Sequence, residues 1–363
     1  MRPGGGNPGK PDNPCIRSIP GLIIYGERIG KMDKTKKKDT LLDTPIGKFV
    51  MDNKALVILI ILFILMAIGT NGIFTSGGNL RNLIRQVAYS VILSAGYTLL
   101  LSSGHIDLAV GCMVGLVGVI LGKFLVAGVP IPVAVLGACV AGVACGTISA
   151  TIITAFDLPP FIVTLATMSA FKGATYLVTK MVPVSNLPQE FIVIGQGYWL
   201  GIPIPVYIML GMVFIMVFIL NKTKFGRYAL AMGGNPEAAR LSGINIARVR
   251  WGVYAVMGVY IAIAATVLTA RSASAQVAAG QNTELDAIAA VVIGGTPLSG
   301  GSANVVGTIF GCMIVGVINN GLNLLGVDSN WQLVAKGVMI LLAIILDVMS
   351  TKLADRMSKA KMA

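Results

Sequence analysis

IPVAVLGACVAGVACGTISATIITA, residues 131–155, carries no charged side chain and is longer than the roughly 20 residues that cross a hydrocarbon core. One such run would make an anchor. The chain has many: apolar stretches at 55–70, 83–103, 110–127, 131–155, 161–179, 204–220, 251–270, 286–300, 303–323 and 332–349, about ten in all. They predict an all-α, polytopic membrane protein rather than a soluble domain on a tether. Gly, Ala, Ser and Cys recur at three- and four-residue spacing in 131–155 and again in GTIFGCMIVGVINNGL, residues 307–322, which lets helix backbones approach closely. About ten transmembrane helices in one compact bundle are therefore expected.

Composition agrees. Of the 363 residues, 55% are hydrophobic and 12% charged, against about 25% charged in a soluble domain. The net charge of +13 is concentrated in residues 1–54, residues 222–250 and the last dozen residues. Lys and Arg beside spans stay on the cytoplasmic side, so all three segments are expected there, and an even number of crossings returns both termini to that side. No aromatic-interleaved basic patch points to nucleic acid as a partner.

Residues 1–54, rich in Gly, Pro and Lys, form a basic segment with no apolar span and are expected to be disordered. Met32, just before DKTKKKD, is a candidate start, which would make the preceding 31 residues a misassigned leader. Residues 55–349 form the transmembrane domain and 350–363 a basic cytoplasmic tail. The five cysteines show no CxxC pair and no Cys/His cluster, so neither a metal site nor a disulfide is expected. There is no GxxxxGK[ST], GxSxG or HExxH, so no catalytic residues, no nucleotide site and no enzyme are expected in this chain.

The loop 221–250, NKTKFGRYALAMGGNPEAARLSGINIARVR, holds six basic residues against Glu237 as its only acid. Asn235 suits an N-cap, Pro236 the first helical position, Glu237 the positive helix end, and Gly243 the stop. About two turns of helix are marginal alone, so this short helix needs a docking surface.

Those letters carry a resemblance. Glu237, Ala238, Ala239 and Gly243 match the EAAxxxG core of the loop by which permease subunits of ATP-binding-cassette importers engage their ATPase; the later I-x-L-P part is absent. The resemblance to ribose/xylose-type sugar importer permeases covers most of 55–349. GHIDLAVG, residues 104–111, resembles that family's GGxDLSVG, with His105 in place of Gly. GGNPEAARLSGIN (233–245), ELDAIAAVVIGGTPLSGG (284–301) and VGTIFGCMIVGVINNGLNLLGV (306–327) resemble its cytoplasmic loop, its late glycine-rich segment and the following helix. The resemblance implies an ATPase-coupling role for Asn235, Pro236, Glu237, Ala238, Ala239, Arg240 and Gly243. It also implies a cytoplasmic ATPase that binds the ATP, an extracytoplasmic solute-binding protein, and a second permease, most simply another copy of this chain.

Other residues have two readings. Asp107 lies on the translocation path or caps the helix starting near Leu108. Asn319 and Asn323, at i and i+4, contact a polyhydroxylated substrate or bond neighbouring helices. Glu284 and Asp286 mark an external loop edge or a helix start, and Arg81 and Arg85 snorkel to the outer interface. GHIDLAVG and GGTPLSGG (294–301) echo each other at Gly104/Gly294, Leu108/Leu298 and Gly111/Gly301, a pattern that points to repeats around a path.

The expected function is ATP-driven import of a ribose-like monosaccharide across the cytoplasmic (inner) membrane by alternating access. A nucleoside importer is the near alternative. An ion-coupled carrier would need ionisable residues inside the spans, where Lys123, Lys172 and Lys336 lie towards ends or need pairing, and a channel would need a pore-lining ring.

Overall fold

The computed structural model describes residues 54–328, 330–339, 341–342 and 345; the basic N-terminal segment before residue 54 and the tail 350–363 lie outside these. The described chain is a helical bundle. In order it runs α1 (Lys54–Gly69), α2 (Gly77–Ser102), α3 (Val110–Val126), α4 (Ile131–Phe156), α5 (Pro160–Thr179), α6 (Gln189–Gln196), β1 (Tyr198–Trp199), β2 (Ile202–Pro203), α7 (Ile204–Lys222), α8 (Lys224–Gly234), α9 (Pro236–Leu241), α10 (Ile246–Ser272), α11 (Thr283–Ile293) and α12 (Val305–Leu324). A last helical stretch covers 330–339.

Among the described residues, α2, α4, α5, α7, α10 and α12 are long and apolar enough to cross a membrane, and α1 and α3 are shorter apolar helices. Their ends follow local chemistry. Ser76 caps α2 through the Asn79 N–H, and prolines in the first turns of α4, α5 and α7 sit where no backbone N–H is needed. Asn245 accepts the Arg248 N–H at 3.0 Å and starts α10 at Ile246, five residues earlier than hydropathy alone implies.

α2 and α10 are the centre of the bundle, while α5 and α7 present apolar surface outward. Small residues set the closest approaches: a Cβ on Gly142 would collide with the Gly258 carbonyl, and one on Gly146 with the Tyr254 carbonyl, so α4 and α10 pack backbone to backbone. Gly294 against Gly307 and Ala290 against Gly311 do the same for α11 and α12. Polar bonds cross between helices as well. Thr98 and Thr308 share a hydroxyl bond of 2.9 Å between α2 and α12, and Asn79 and Asn320 exchange reciprocal amide bonds of 2.9 Å. Such bonds average about 0.6 kcal/mol in lipid and chiefly set register.

The stretch 286–300 corrects an expectation. It is not an uninterrupted span, because α11 has only 11 residues, about 16 Å, and ends at a glycine pair. The chain before it completes the crossing in non-helical form. Ala275 packs against Gly122, the Ala279 carbonyl against Gly115, and the Gly280 carbonyl and Glu284 against Gly111. From Gly122 to Gly111 is about 16 Å along α3. Residues 275–282 therefore descend inside the bundle, and α11 begins at depth. Irregular backbone is tolerated there because protein surrounds it.

Candidate functional site

Two places concentrate polar chemistry. The first is the loop end of the bundle. α9 is built as its letters predict: the Asn235 side chain accepts the Ala238 N–H at 3.0 Å, Pro236 takes the first position, and Glu237 lies in the first turn. Gly243 at φ +83° donates to the Arg240 carbonyl at 3.0 Å while Ile244 donates to Ala239 at 3.1 Å, which satisfies two end carbonyls in a Schellman arrangement. Only Ala239 is buried; Glu237, Ala238 and Arg240 are exposed, and Leu241 is 88% exposed. A largely exposed leucine on a short polar helix is an apolar knob without a partner among the described residues, and periodicity over two turns could not single it out.

The loop is wedged into the bundle through α8. Ala229 and Met232 are buried, and a Cβ on Gly233 would collide with the Ser102 carbonyl at the end of α2. That carbonyl also accepts the Gly301 N–H at 2.8 Å. Gly300, at φ +79°, packs against Gly104 and the Gly233 carbonyl. The two echoing motifs touch through Gly104 and Gly300, not through the matched pair Gly104 and Gly294.

Behind α9 lies a hollow of about 390 Å³ between Thr154, Asp157, Glu237, Arg240 and Arg250. Arg250 donates to His105 Nε2 at 3.2 Å and to the Thr154 hydroxyl at 3.3 Å. His105 Nδ1 lies 2.9 Å from the Ser103 carbonyl, which assigns its proton to Nδ1 and leaves Nε2 as the acceptor. Burial pushes the imidazole down to about 4, and the Arg250 charge acts in the same direction. His105 is therefore neutral and structural. Asp107 is 1% exposed; its Oδ1 accepts the Ala109 N–H at 2.7 Å, and the Tyr97 hydroxyl bridges its backbone N–H and carbonyl at 3.1 Å. This is the turn-closing arrangement ahead of α3.

The second place is a polar cavity of about 220 Å³ at the start of α11, bounded by α2, α10, α12 and the 330–339 stretch. Asn319 and Asn323 both line it, as do Tyr89, Arg271, Asp286 and Lys336; Asp107 does not. Lys336 donates to Asp286 Oδ2 at 2.9 Å, the pairing that a lysine in a span requires. Gln332 donates to Asn323 Oδ1 at 2.9 Å. Glu284 and Asp286 do begin a helix, but inside the bundle rather than at an external edge, with Glu284 8% exposed. At the far rim Arg271 bonds Asn82 and Arg85 stacks on Tyr198 at 4.7 Å. Tyr89 escapes a sequence reading, and nothing in the sequence joins it to Asp286 or Lys336, because the three come from separate helices and share no motif.

A helical bundle with a broken crossing beside a polar cavity at depth is an arrangement that membrane transport proteins use. The comparisons name the kind. Residues 79–344 match the family model described as branched-chain amino acid transport system / permease component, and the chain belongs to that family. It is 44% identical over 290 residues to the ribose import permease protein of Bacillus subtilis (strain 168), covering 79% of this chain and 90% of that one. It is 40% identical to the ribose import permease protein of Escherichia coli (strain K12), over 82% of this chain and 94% of the relative. The xylose transport system permease protein of Haemophilus influenzae is 32% identical, over 82% and 96%. No solved structure matches the chain. The chain is thus a transport component rather than an enzyme.

Proposed function

We propose that this chain is the permease subunit of an ATP-driven importer that moves a ribose-like monosaccharide across the cytoplasmic (inner) membrane by alternating access. The observation that carries the reading is α9: a capped two-turn helix that exposes Leu241 outward while its root is wedged between α2 and the turn before α12. The relatives' names supply the sugar, since the family description alone names another solute.

In this reading a separate cytoplasmic ATPase binds ATP and receives α9, with Asn235, Pro236, Glu237, Ala238, Ala239, Arg240 and Gly243 forming or shaping the contact. Both termini are cytoplasmic, and a solute-binding protein delivers sugar to the opposite face. A second copy of this chain completes the path in the lipid bilayer. Closure of the ATPase pair pushes α9, and the contacts of Gly233 with Ser102 and Gly301 pass that displacement to α2 and α12.

Uptake into vesicles tests this. Sugar entry that requires ATP and the co-purified ATPase is expected; entry without the ATPase would identify a carrier or channel, and entry of a nucleoside instead of a sugar would identify the related importer class.

A further inference from the structure

We propose that the cavity at the start of α11 is a monosaccharide-binding subsite within the permease itself, in which Tyr89, Asp286 and Asn319 contact the sugar and Lys336 positions Asp286. The proposal rests on the importer reading above. It deepens that reading by giving the permease its own selectivity.

Three observations carry it. The first is place: the crossing breaks at Asn282, and α11 starts about 16 Å down α3, so the cavity sits at depth beside an interrupted helix. Ligand sites in transporters form at such breaks, because loosened backbone and side chains can face a solute there without facing lipid.

The second is unmet bonding. The Tyr89 hydroxyl, Asp286 Oδ1 and Asn319 Oδ1 are buried and have no hydrogen-bond partner among the described residues. Tyr89 and Asn319 are themselves only 6% and 8% exposed, and all three residues line the cavity. A buried polar atom left unpaired costs about 1–3 kcal/mol, so these three need a partner, and whatever enters the cavity, water or solute, supplies it.

The third is the chemistry of what is missing. Asp286 Oδ1 and Asn319 Oδ1 can only accept, while the Tyr89 hydroxyl can donate or accept, so a ligand rich in hydroxyl groups, each both donor and acceptor, suits all three. A metal cation is a poor fit, since Lys336 already occupies one carboxylate oxygen of Asp286, the only acid on the wall among the described residues. A free anion lacks the donors. At about 220 Å³ the cavity has room for several waters or for one small polyhydroxylated molecule.

The test uses the complete importer in lipid vesicles, with D-ribose and its single-hydroxyl deoxy analogues as probes. Asn319→Leu, and Asp286→Asn, whose amide must turn its oxygen to Lys336 and so present a donor to the cavity in place of Oδ1, are expected to raise the uptake KM for D-ribose by about tenfold, one lost hydrogen bond each, and to shrink the preference over a deoxy analogue. Lys336→Met is expected to mimic Asp286→Asn. As a readout independent of turnover, Ser90→Cys on the cavity wall, with Cys312→Ser, is labelled by a small thiol reagent, and saturating D-ribose should slow labelling several-fold. Unchanged KM and preference in variants that assemble, or labelling indifferent to D-ribose, would overturn the subsite. Wild-type ATP-dependent uptake in the same vesicles keeps the importer reading standing in that event; loss of wild-type uptake would instead remove that reading.

Discussion

The Ser102 carbonyl accepts the Gly301 N–H at 2.8 Å, tying the end of α2 to the turn that precedes α12. Gly233, one residue before the last of α8, packs on the same carbonyl with no room for a side chain. Three segments distant in sequence therefore share one rigid junction, three residues before the first residue of the protruding α9.

Gly233→Ala is expected to wedge this junction apart. An overpacked methyl at a backbone contact costs about 1–3 kcal/mol, so thermal stability should fall. Sugar uptake per ATP hydrolysed should fall several-fold more than ATPase binding does. Parallel measurement of uptake and hydrolysis in vesicles checks this; equal losses of both would place the effect in assembly.

Gly243 offers a purely conformational test. Its φ is +83° and nothing lies within 4 Å of where a Cβ would point, so Gly243→Ala carries backbone strain alone, about 1 kcal/mol. Gly243→Asn, which tolerates that region better, is expected to keep more ATPase association than Gly243→Ala in pull-down titrations.

Leu241 should behave as a docking contact. At 88% exposure, Leu241→Asp leaves the fold untouched but places a charge in an apolar contact. Loss of ATPase co-purification with an unchanged melting profile is expected; retained co-purification would move the contact elsewhere on the loop.

Asp107 separates turn from path. Asp107→Asn keeps an acceptor for the Ala109 N–H and should leave the sugar KM unchanged, whereas Asp107→Ala strands that donor and should lower stability by about 1–3 kcal/mol. A raised KM in Asp107→Asn would return the residue to the path.

Acid should loosen the protein through His105. Its ring is depressed to about 4 in the fold against an ordinary 6.5, so between these values the unfolded chain binds a proton that the folded one does not. Stability present above pH 6.5 is therefore lost as pH falls, by on the order of 2 kcal/mol at pH 5. Thermal unfolding in detergent from pH 7.5 to 5 reads this slope, and His105→Gln should flatten it.

Much of this protein was legible in its letters. Long apolar runs dictate spanning helices because lipid leaves a backbone no other way to bond, and the stretches 55–70 through 251–270, with 303–323, all coincide with helices. The bounds of α9 were equally local, since Asn235, Pro236 and Gly243 act on their own neighbours through capping and backbone geometry. What lay beyond reach was distance across the bundle. The descent of residues 275–282, the pairing of Asp286 with Lys336 and the unpaired oxygens of Tyr89 and Asn319 depend on side chains from α2, α11, α12 and the final stretch converging. No periodicity within one helix records which residue faces it from another, so tertiary packing alone decided where the cavity lies and what it can hold.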